Sequence, residues 1–106
     1  MKLPNQIALI TGGSRGIGRA TALLFAQEGA DIAFCHLDDD TKAEETAAEI
    51  RALGRRVTHR SVDVADIAAT KAFATDVAAT FGPIDILFNN AGMNIQIGRA
   101  SWRERV

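Results

Sequence analysis

The stretch "TGGSRGIG", residues 11–18, decides how this sequence is interpreted. It follows a continuous apolar run, Ile7–Ile10, and it opens a segment, Ile17–Glu28, that has apolar residues at helical spacing and ends at Gly29. Gly12, Gly13, Gly16 and Gly18 fall within these eight residues. Because an ordered glycine costs more conformational entropy than any other residue, the loop predicts a strand-to-helix turn that needs a backbone without Cβ atoms.

The strand-then-helix pattern recurs along the chain. Four short segments bounded by turn residues predict strands, and the longer segments between them carry helical apolar spacing with terminal caps. The predicted strands are Ile7–Ile10, Ile32–Cys35, Val57–Val62 and Ile84–Phe88; the predicted helices are Ile17–Glu28, a helix capped within 38–41 that runs to Leu53, and a helix from Asp66 to Phe81. Strands without alternation are buried on both faces. We therefore expect an α/β, Rossmann-like three-layer sandwich with a parallel sheet, truncated to about four strands and three helices.

The apolar spacing also predicts the buried face of each helix. These faces are Ile17, Ala20 and Leu24 in the first helix, Ala43, Ala47, Ile50 and Leu53 in the second, and Ile67, Thr70, Ala74, Val77 and Phe81 in the third.

The position of the glycine loop predicts a phosphate site. The carboxyl end of the first strand lies at the ligand crevice of a parallel sheet, and a helix start offers free N–H groups and a positive dipole end. We expect Gly12 to allow the tight turn, Gly16 to allow a close approach and Gly18 to let the helix pack near the strand. The spacing G-x-x-x-G-x-G is neither G-x-G-x-x-G nor a P-loop, and the alternative is a plain turn with packing glycines.

Composition excludes several other classes of protein. The chain has 106 residues, 47% of them hydrophobic, and a net charge of −1, which gives no electrostatic reason to expect nucleic acid or a membrane surface as a partner. The single cysteine, Cys35, lies in an apolar run and is expected to be a buried thiol in a reducing compartment. The amino-terminal apolar run is too short for a signal peptide, so we expect a cytoplasmic location.

Two separated motifs resemble the short-chain dehydrogenase/reductase family. "TGGSRGIG" is followed by "NNAG" at Asn89–Gly92, while "VDV" at Val62–Val64 and "GPIDILFNNAG" at 82–92 are in the register of that family. The resemblance covers residues 5 to about 94. It implies a nicotinamide dinucleotide cofactor, NAD or NADP, and hydride transfer between nicotinamide and an alcohol or carbonyl substrate in a parent protein that is a homo-oligomer.

The resemblance also implies roles for single residues. Asp63 is expected to hydrogen-bond the adenine, Asn90, Ala91 and Gly92 to line the cofactor near its ribose, and Asn89 to steady the central strands. As plain alternatives, Asp63 caps a turn and the two asparagines form turns. The full set of expected cofactor-binding residues is Gly12, Ser14, Arg15, Gly16, Ile17, Gly18, His36, Asp63, Val64, Asn89, Asn90, Ala91 and Gly92.

The choice between NAD and NADP stays open on the residues alone. Arg15 either is solvated or holds an adenosine 2′-phosphate. His36 stands where NAD-preferring relatives carry a ribose-binding acid. Acidic residues 38–40 would repel a 2′-phosphate if they faced inward, but we expect them to cap the second helix on a solvated face. Arg15 and the absence of an acidic residue at position 36 slightly favour NADP over NAD.

The catalytic half of the family pattern is absent from this sequence. The resembled family uses a tyrosine proton donor with a lysine four residues later, which lowers the pKa of the tyrosine. The sequence has no tyrosine, and its last lysine is Lys71. We expect no catalytic residue here. We also expect no metal site, since the spacing of His and Cys matches none; Cys35 and His59 are expected to be structural.

The last ten residues, "IGRASWRERV", differ in composition from the rest. We expect residues 1–96 to be the NAD(P)-binding Rossmann portion of an incomplete domain and residues 97–106 to be a non-native or disordered tail, the alternative being a natural basic tail. The chain is thus interpreted as the amino-terminal half of an oxidoreductase without its interface helices. The alternatives are a non-catalytic dinucleotide-binding module and an inert fragment.

Overall fold

Four parallel strands and three helices alternate strictly along the chain. The computed structural model describes residues 1–90. The elements are β1 (Ile7–Thr11), α1 (Gly16–Gln27), β2 (Asp31–His36), α2 (Asp40–Ala52), β3 (Val57–Ser61), α3 (Ile67–Phe81) and β4 (Ile86–Asn89). The strands lie in the order β3-β2-β1-β4, and each neighbouring pair is parallel. The predicted α/β, Rossmann-like fold is therefore confirmed.

The helices cover both faces of the sheet. Side chains from α1 and α2 pack on one face, around Ile10, Ile32 and Phe34. Phe73, Val77 and their neighbours in α3 pack on the other face. From β1 the chain adds β2 and then β3 on one side of β1. It then crosses back and adds β4 on the other side of β1. This reversal of strand order places a crevice at the carboxyl ends of β1 and β4, where open α/β sheets bind ligands.

The predicted buried face of α1 is wrong. Ile17 is 70% exposed, and Leu24 is also exposed, whereas the buried residues of this helix are Gly18, Ala22 and Ala26. These small residues lie four apart and so share one face. They let the helix axis approach the sheet closely, and the larger side chains are consequently directed outward.

The other two helices need smaller corrections. In α2 the predicted face is buried at Ala43, Ala47 and Ile50, but Leu53 follows the helix end and is exposed. In α3, Ile67 is exposed because it lies in the first turn, while Phe73, which was not predicted, is buried beside Ala74.

The third strand is less buried than predicted. No residue of Val57–Ser61 is fully buried, because β3 is the outer strand next to β2. The predicted ends of the second and third helices are otherwise close to those found. Asp66 caps α3 by accepting a hydrogen bond from the Ala69 N–H at 3.0 Å, and Gly82 ends that helix with a φ of 113°.

Candidate functional site

The glycine loop between β1 and α1 is held against the end of β2. The N–H groups of Gly12 and Gly13 both donate to the carbonyl oxygen of Cys35, at 2.9 and 3.1 Å. Gly12 has a φ of 74°, a left-handed conformation that side chains disfavour. A Cβ atom on Gly13 would lie 2.5 Å from the Cβ of Phe34. Gly13 therefore serves the packing of the loop on the sheet.

The start of α1 is free of capping side chains. Arg15, the residue before the helix, has an extended backbone and makes no side-chain capping bond, and the first turn carries no acidic residue. Gly16 has a φ of 56°, and apart from its chain neighbours and the backbone of its own helix, no described residue lies within 4 Å of the position that its Cβ would take. The first N–H groups of a helix lack intrahelical acceptors and carry the positive end of the dipole. This open helix start suits an anion such as a diphosphate.

Two asparagines lie on the β4 side of the loop. The hydroxyl of Thr11 donates to Oδ1 of Asn89 at 3.2 Å, which joins the ends of β1 and β4. The side-chain nitrogen of Asn90 is 3.0 Å from the Cβ position of Gly12, so its amide packs directly on the loop. Ala91 and Gly92, predicted to continue this lining, lie outside the described residues, as do residues 97–106.

The opposite side of the loop is tied to the turn between β2 and α2 by Asp39. Arg15 donates to both carboxylate oxygens of Asp39, from Nε at 2.7 Å and Nη2 at 3.1 Å, and the Ser14 hydroxyl donates to Oδ2 at 2.9 Å. The hydrogen bond from Arg15, joined by that from Ser14, lowers the pKa of Asp39 to about 2. The same contact raises the pKa of Arg15. The carboxylate thus stays charged across the physiological range.

This contact alters the expectation for residues 38–40. Asp39 is the residue before α2, but its side chain makes no capping bond and faces the glycine loop instead. Arg15 is 70% exposed, yet it is ion-paired with Asp39. Neither expected role, a solvated side chain or a ligand of the 2′-phosphate, describes it fully. Nothing in the spacing of Ser14, Arg15 and Asp39 indicated this three-residue contact, because it depends on the turn that follows β2.

His36 lies beneath that turn and is completely buried at its side chain. Its Nδ1 accepts a hydrogen bond from the Asp39 N–H at 3.1 Å. Its Nε2 is 3.3 Å from Nδ1 of His59 and 3.4 Å from a carboxylate oxygen of Asp40. Burial, followed by the neighbouring His59, lowers the pKa of His36 against the opposing effect of the aspartates 38–40.

The sequence did not predict that the two histidines would meet. In the sheet His59 is the register partner of Phe34, and residues two apart on parallel strands share a face. His36 and His59 are consequently diagonal neighbours. The other ring nitrogen of His59 is 2.5 Å from Glu44 Oε2 in α2, and this hydrogen bond lowers the pKa of Glu44.

His36, His59 and Asp40 also place three potential metal ligand atoms within 4.8 Å of one another. A metal ion on Nε2 of His36 would need the ring proton on Nδ1. That nitrogen already accepts the N–H of Asp39, so two donors would face each other. We therefore interpret the group as a hydrogen-bonded chain rather than as a metal centre.

Asp63 and Val64 follow β3 at the same edge of the sheet. Oδ1 of Asp63 accepts the N–H of Ala65 at 2.9 Å, so the carboxylate forms a local turn, as the plain alternative expected. The side chain is nevertheless exposed, and Val64 is partly buried against the α3 side of the core.

Among residues 1–90, no helix is long and apolar enough to cross a membrane.

Comparisons with known proteins point consistently to one family. A family profile described as short chain dehydrogenase matches residues 6–104. An L-rhamnose 1-dehydrogenase (NAD(P)(+)) from a Sphingomonas species is 42% identical over 91 residues, which cover 86% of this chain and 36% of that protein. The chain thus spans about a third of the length of that curated relative.

Solved structures agree with this match. A short chain dehydrogenase from Burkholderia cenocepacia in complex with NADP is 43% identical with a TM-score of 0.84, over 91% of this chain and 39% of that one. Carveol dehydrogenase from Mycobacterium avium in complex with NAD is 31% identical with a TM-score of 0.80, over 90% and 38% of the two chains.

Proposed function

The chain belongs to the short-chain dehydrogenase family, and from that premise we propose that it is the dinucleotide-binding portion of an NAD(P)-dependent oxidoreductase. The observation that carries the proposal is the open start of α1. Gly16 leaves clear space beside an uncapped helix start, and a Cβ atom would fill that space. These features fit the diphosphate of a dinucleotide.

The neighbouring residues suit the remaining parts of such a cofactor. In our proposal the loop residues Gly12, Ser14, Arg15, Ile17 and Gly18 surround the diphosphate. Residues that end or follow the other strands, namely Asp63, Val64, Asn89 and Asn90, line the crevice on either side, and His36, buried at the end of β2, supports the crevice from beneath. The exposed carboxylate of Asp63 can accept a hydrogen bond from the adenine amino group in addition to the Ala65 N–H. Relatives solved with NADP and with NAD support the cofactor class.

When bound, the nicotinamide would supply hydride chemistry, but the chain's own residues bind and orient rather than transfer protons. The sequence contains no tyrosine, so we propose that the proton donor for an alcohol or carbonyl substrate belongs to the rest of the parent protein. We further propose that the parent is a cytoplasmic homo-oligomer. The division between residues 1–96 and 97–106 stays a prediction.

Titration of the full chain with NADH and, separately, NADPH tests the proposal. The increase in nicotinamide fluorescence over that of free nucleotide should saturate with at least one of them. ADP-ribose, which lacks the nicotinamide but retains the diphosphate, should reduce this increase by competition. A protein that is folded by circular dichroism and binds neither nucleotide would contradict the proposal.

A further inference from the structure

The hydrogen bond from the Asp39 N–H fixes the proton position on His36. An imidazole nitrogen that accepts a hydrogen bond holds a lone pair, so neutral His36 carries its proton on Nε2. That proton faces Nδ1 of His59 at 3.3 Å. His59 must then carry its own proton on Nε2, where it faces Glu44 at 2.5 Å.

This arrangement leaves no room for a further proton. Three contacts follow one another: Asp39 N–H to His36 Nδ1, His36 Nε2 to His59 Nδ1, and His59 Nε2 to Glu44. Each of these gaps between two polar atoms holds one proton when both histidines are neutral. One added proton must place two in the same gap. His59 is the more exposed ring, at 16% against 0% for His36, and it contacts the Glu44 carboxylate, so the pair is connected to solvent through His59.

The added proton has a defined consequence for His36. A protonated His59 donates from both nitrogens. While the two rings keep their 3.3 Å contact, Nε2 of His36 must then accept, and the His36 proton must lie on Nδ1. There it opposes the N–H of Asp39, and the hydrogen bond that holds the turn is lost. Asp39 is the residue that binds Ser14 and Arg15 of the glycine loop, so the loss reaches the candidate dinucleotide site.

We propose that His36 is a positioning residue for the glycine loop, that it acts through Asp39, and that proton uptake by the His36–His59 pair weakens dinucleotide binding. The proposal rests on the proposed function, because the ligand is the dinucleotide.

The groups around the pair limit what else can titrate. The titratable groups whose charges act on His36 are His59 from β3 and the three aspartates 38–40 from the turn and α2, with Glu44 of α2 beyond His59. Carboxylates ordinarily titrate near pH 4, and histidine between about pH 5 and pH 8. The amino terminus ordinarily titrates near pH 8, so measurements between about pH 5.5 and about pH 7 select for changes at histidine, of which the sequence has two.

The test is the NADH dissociation constant of the full, untagged chain at both ends of that range. NADPH is avoided because its 2′-phosphate itself titrates near pH 6. Loss of one positioning hydrogen bond should weaken NADH binding by about fivefold at the lower pH. Asn has a side-chain oxygen close to the position of a histidine Nδ1, so His36→Asn should keep the tight binding at both pH values. His36→Leu, which has no acceptor, should bind weakly at both.

Glu45→Gln is the matched control, because it removes an exposed carboxylate of the same helix that pairs with Lys42 and does not act on His36, and it should keep the wild-type pH dependence. Nitrogen-15 spectra of the histidine rings provide a readout that does not involve NADH. They should show His36 protonated on Nε2 at the higher pH, and the Asp39 amide should become unprotected at the lower pH.

The inference would be overturned by equal NADH affinity at both pH values in the wild type, by a pH dependence that persists in His36→Asn, or by a His36 ring protonated on Nδ1 at the higher pH. Stoichiometric binding of Zn²⁺ to both rings would also overturn it in favour of a metal site. If NADH binds at neither pH, the proposed function fails. The positions of the ring protons and the loss of the Asp39–His36 hydrogen bond are then tested by the spectra alone.

Discussion

Gly18 packs so closely on Gly12 that a methyl group on Gly18 would overlap the Gly12 carbonyl oxygen. The first turn of α1 therefore rests on the backbone of the loop that precedes it. A backbone carbonyl cannot rotate away as a side chain can, so any side chain at position 18 must displace the loop or the helix.

Gly18→Ala should lower the free energy of unfolding by about 3 kcal/mol, at the upper end of the usual cost of overpacking. An alanine in a helix interior normally stabilises relative to glycine, so the sign is opposite to the one that helix propensity gives. Urea unfolding followed by circular dichroism measures the change. Gln27→Ala, at an exposed position of the same helix, should change stability by less than about 0.5 kcal/mol. Equal stability of Gly18→Ala and wild type would contradict this packing.

Gly16 and Gly54 form a matched pair that separates binding from folding. Both have positive φ, 56° and 82°, and apart from chain neighbours and, for Gly16, the backbone of its own helix, neither has a described atom within 4 Å of its Cβ position. Gly16→Ala and Gly54→Ala should each cost about 1 kcal/mol of stability, because alanine is strained in this conformation. Only Gly16 lies at the start of α1. Gly16→Ala should thus weaken NADH binding by about tenfold, whereas Gly54→Ala should leave it unchanged. Similar affinities in the two variants would argue against the helix start as the diphosphate site.

The parts of the fold that depend on local pattern could be predicted from the sequence. Gly29 and Gly82 end helices where expected, and Asp66 caps α3, because caps and stops act within a few residues. The buried face of α1 could not be predicted from hydrophobicity. Burial at Gly18, Ala22 and Ala26 is decided by the distance between helix and sheet, which favours small residues over Ile17 and Leu24.

The candidate site divides in the same way. The glycine loop is a contiguous motif, so its position at the end of β1 followed from the sequence. The contacts of Asp39 and His36 did not, because they join residues from separate strands and turns. Sheet register sets the meeting of His36 with His59, and register is not encoded in the spacing of two histidines along the chain.

Asp31 gives a pH-dependent contribution to stability. Its buried carboxylate accepts hydrogen bonds from the backbone and side chain of Arg56 and lies 2.9 Å from Arg55. Burial alone would raise the pKa of Asp31, but the hydrogen bonds from Arg56 and the charges of both arginines outweigh it, and the pKa is lowered. A lowered carboxyl pKa stabilises the fold above the ordinary value near 4, and this contribution is lost as the pH falls through the lowered value.

Asp31→Asn should therefore cost about 2 kcal/mol at pH 7, the usual value for hydrogen bonds to a charged group, and progressively less below about pH 4. Urea unfolding at several pH values measures both. Asp76→Asn removes an exposed ion pair with Arg60 and serves as the control, with an expected cost below about 0.5 kcal/mol. A cost for Asp31→Asn that stays constant down to pH 3 would show that the charge is not responsible.

Asp39 should decide how well the site accepts a 2′-phosphate. Arg15 is the cation beside the loop that a 2′-phosphate could bind, but in this structure both carboxylate oxygens of Asp39 already accept its hydrogen bonds. A phosphate at this position would meet a like charge, which is costly. Asp39→Ala should free Arg15 and raise the affinity for NADPH relative to NADH by about tenfold, while NADH binding itself weakens because Ser14 and Arg15 lose their anchor. Parallel fluorescence titrations with the two nucleotides give the ratio. Asp40→Ala removes an adjacent, 83% exposed carboxylate that contacts neither loop residue, so its ratio should equal that of the wild type. An equal rise in both variants would mean that the general loss of negative charge, rather than the release of Arg15, sets the preference.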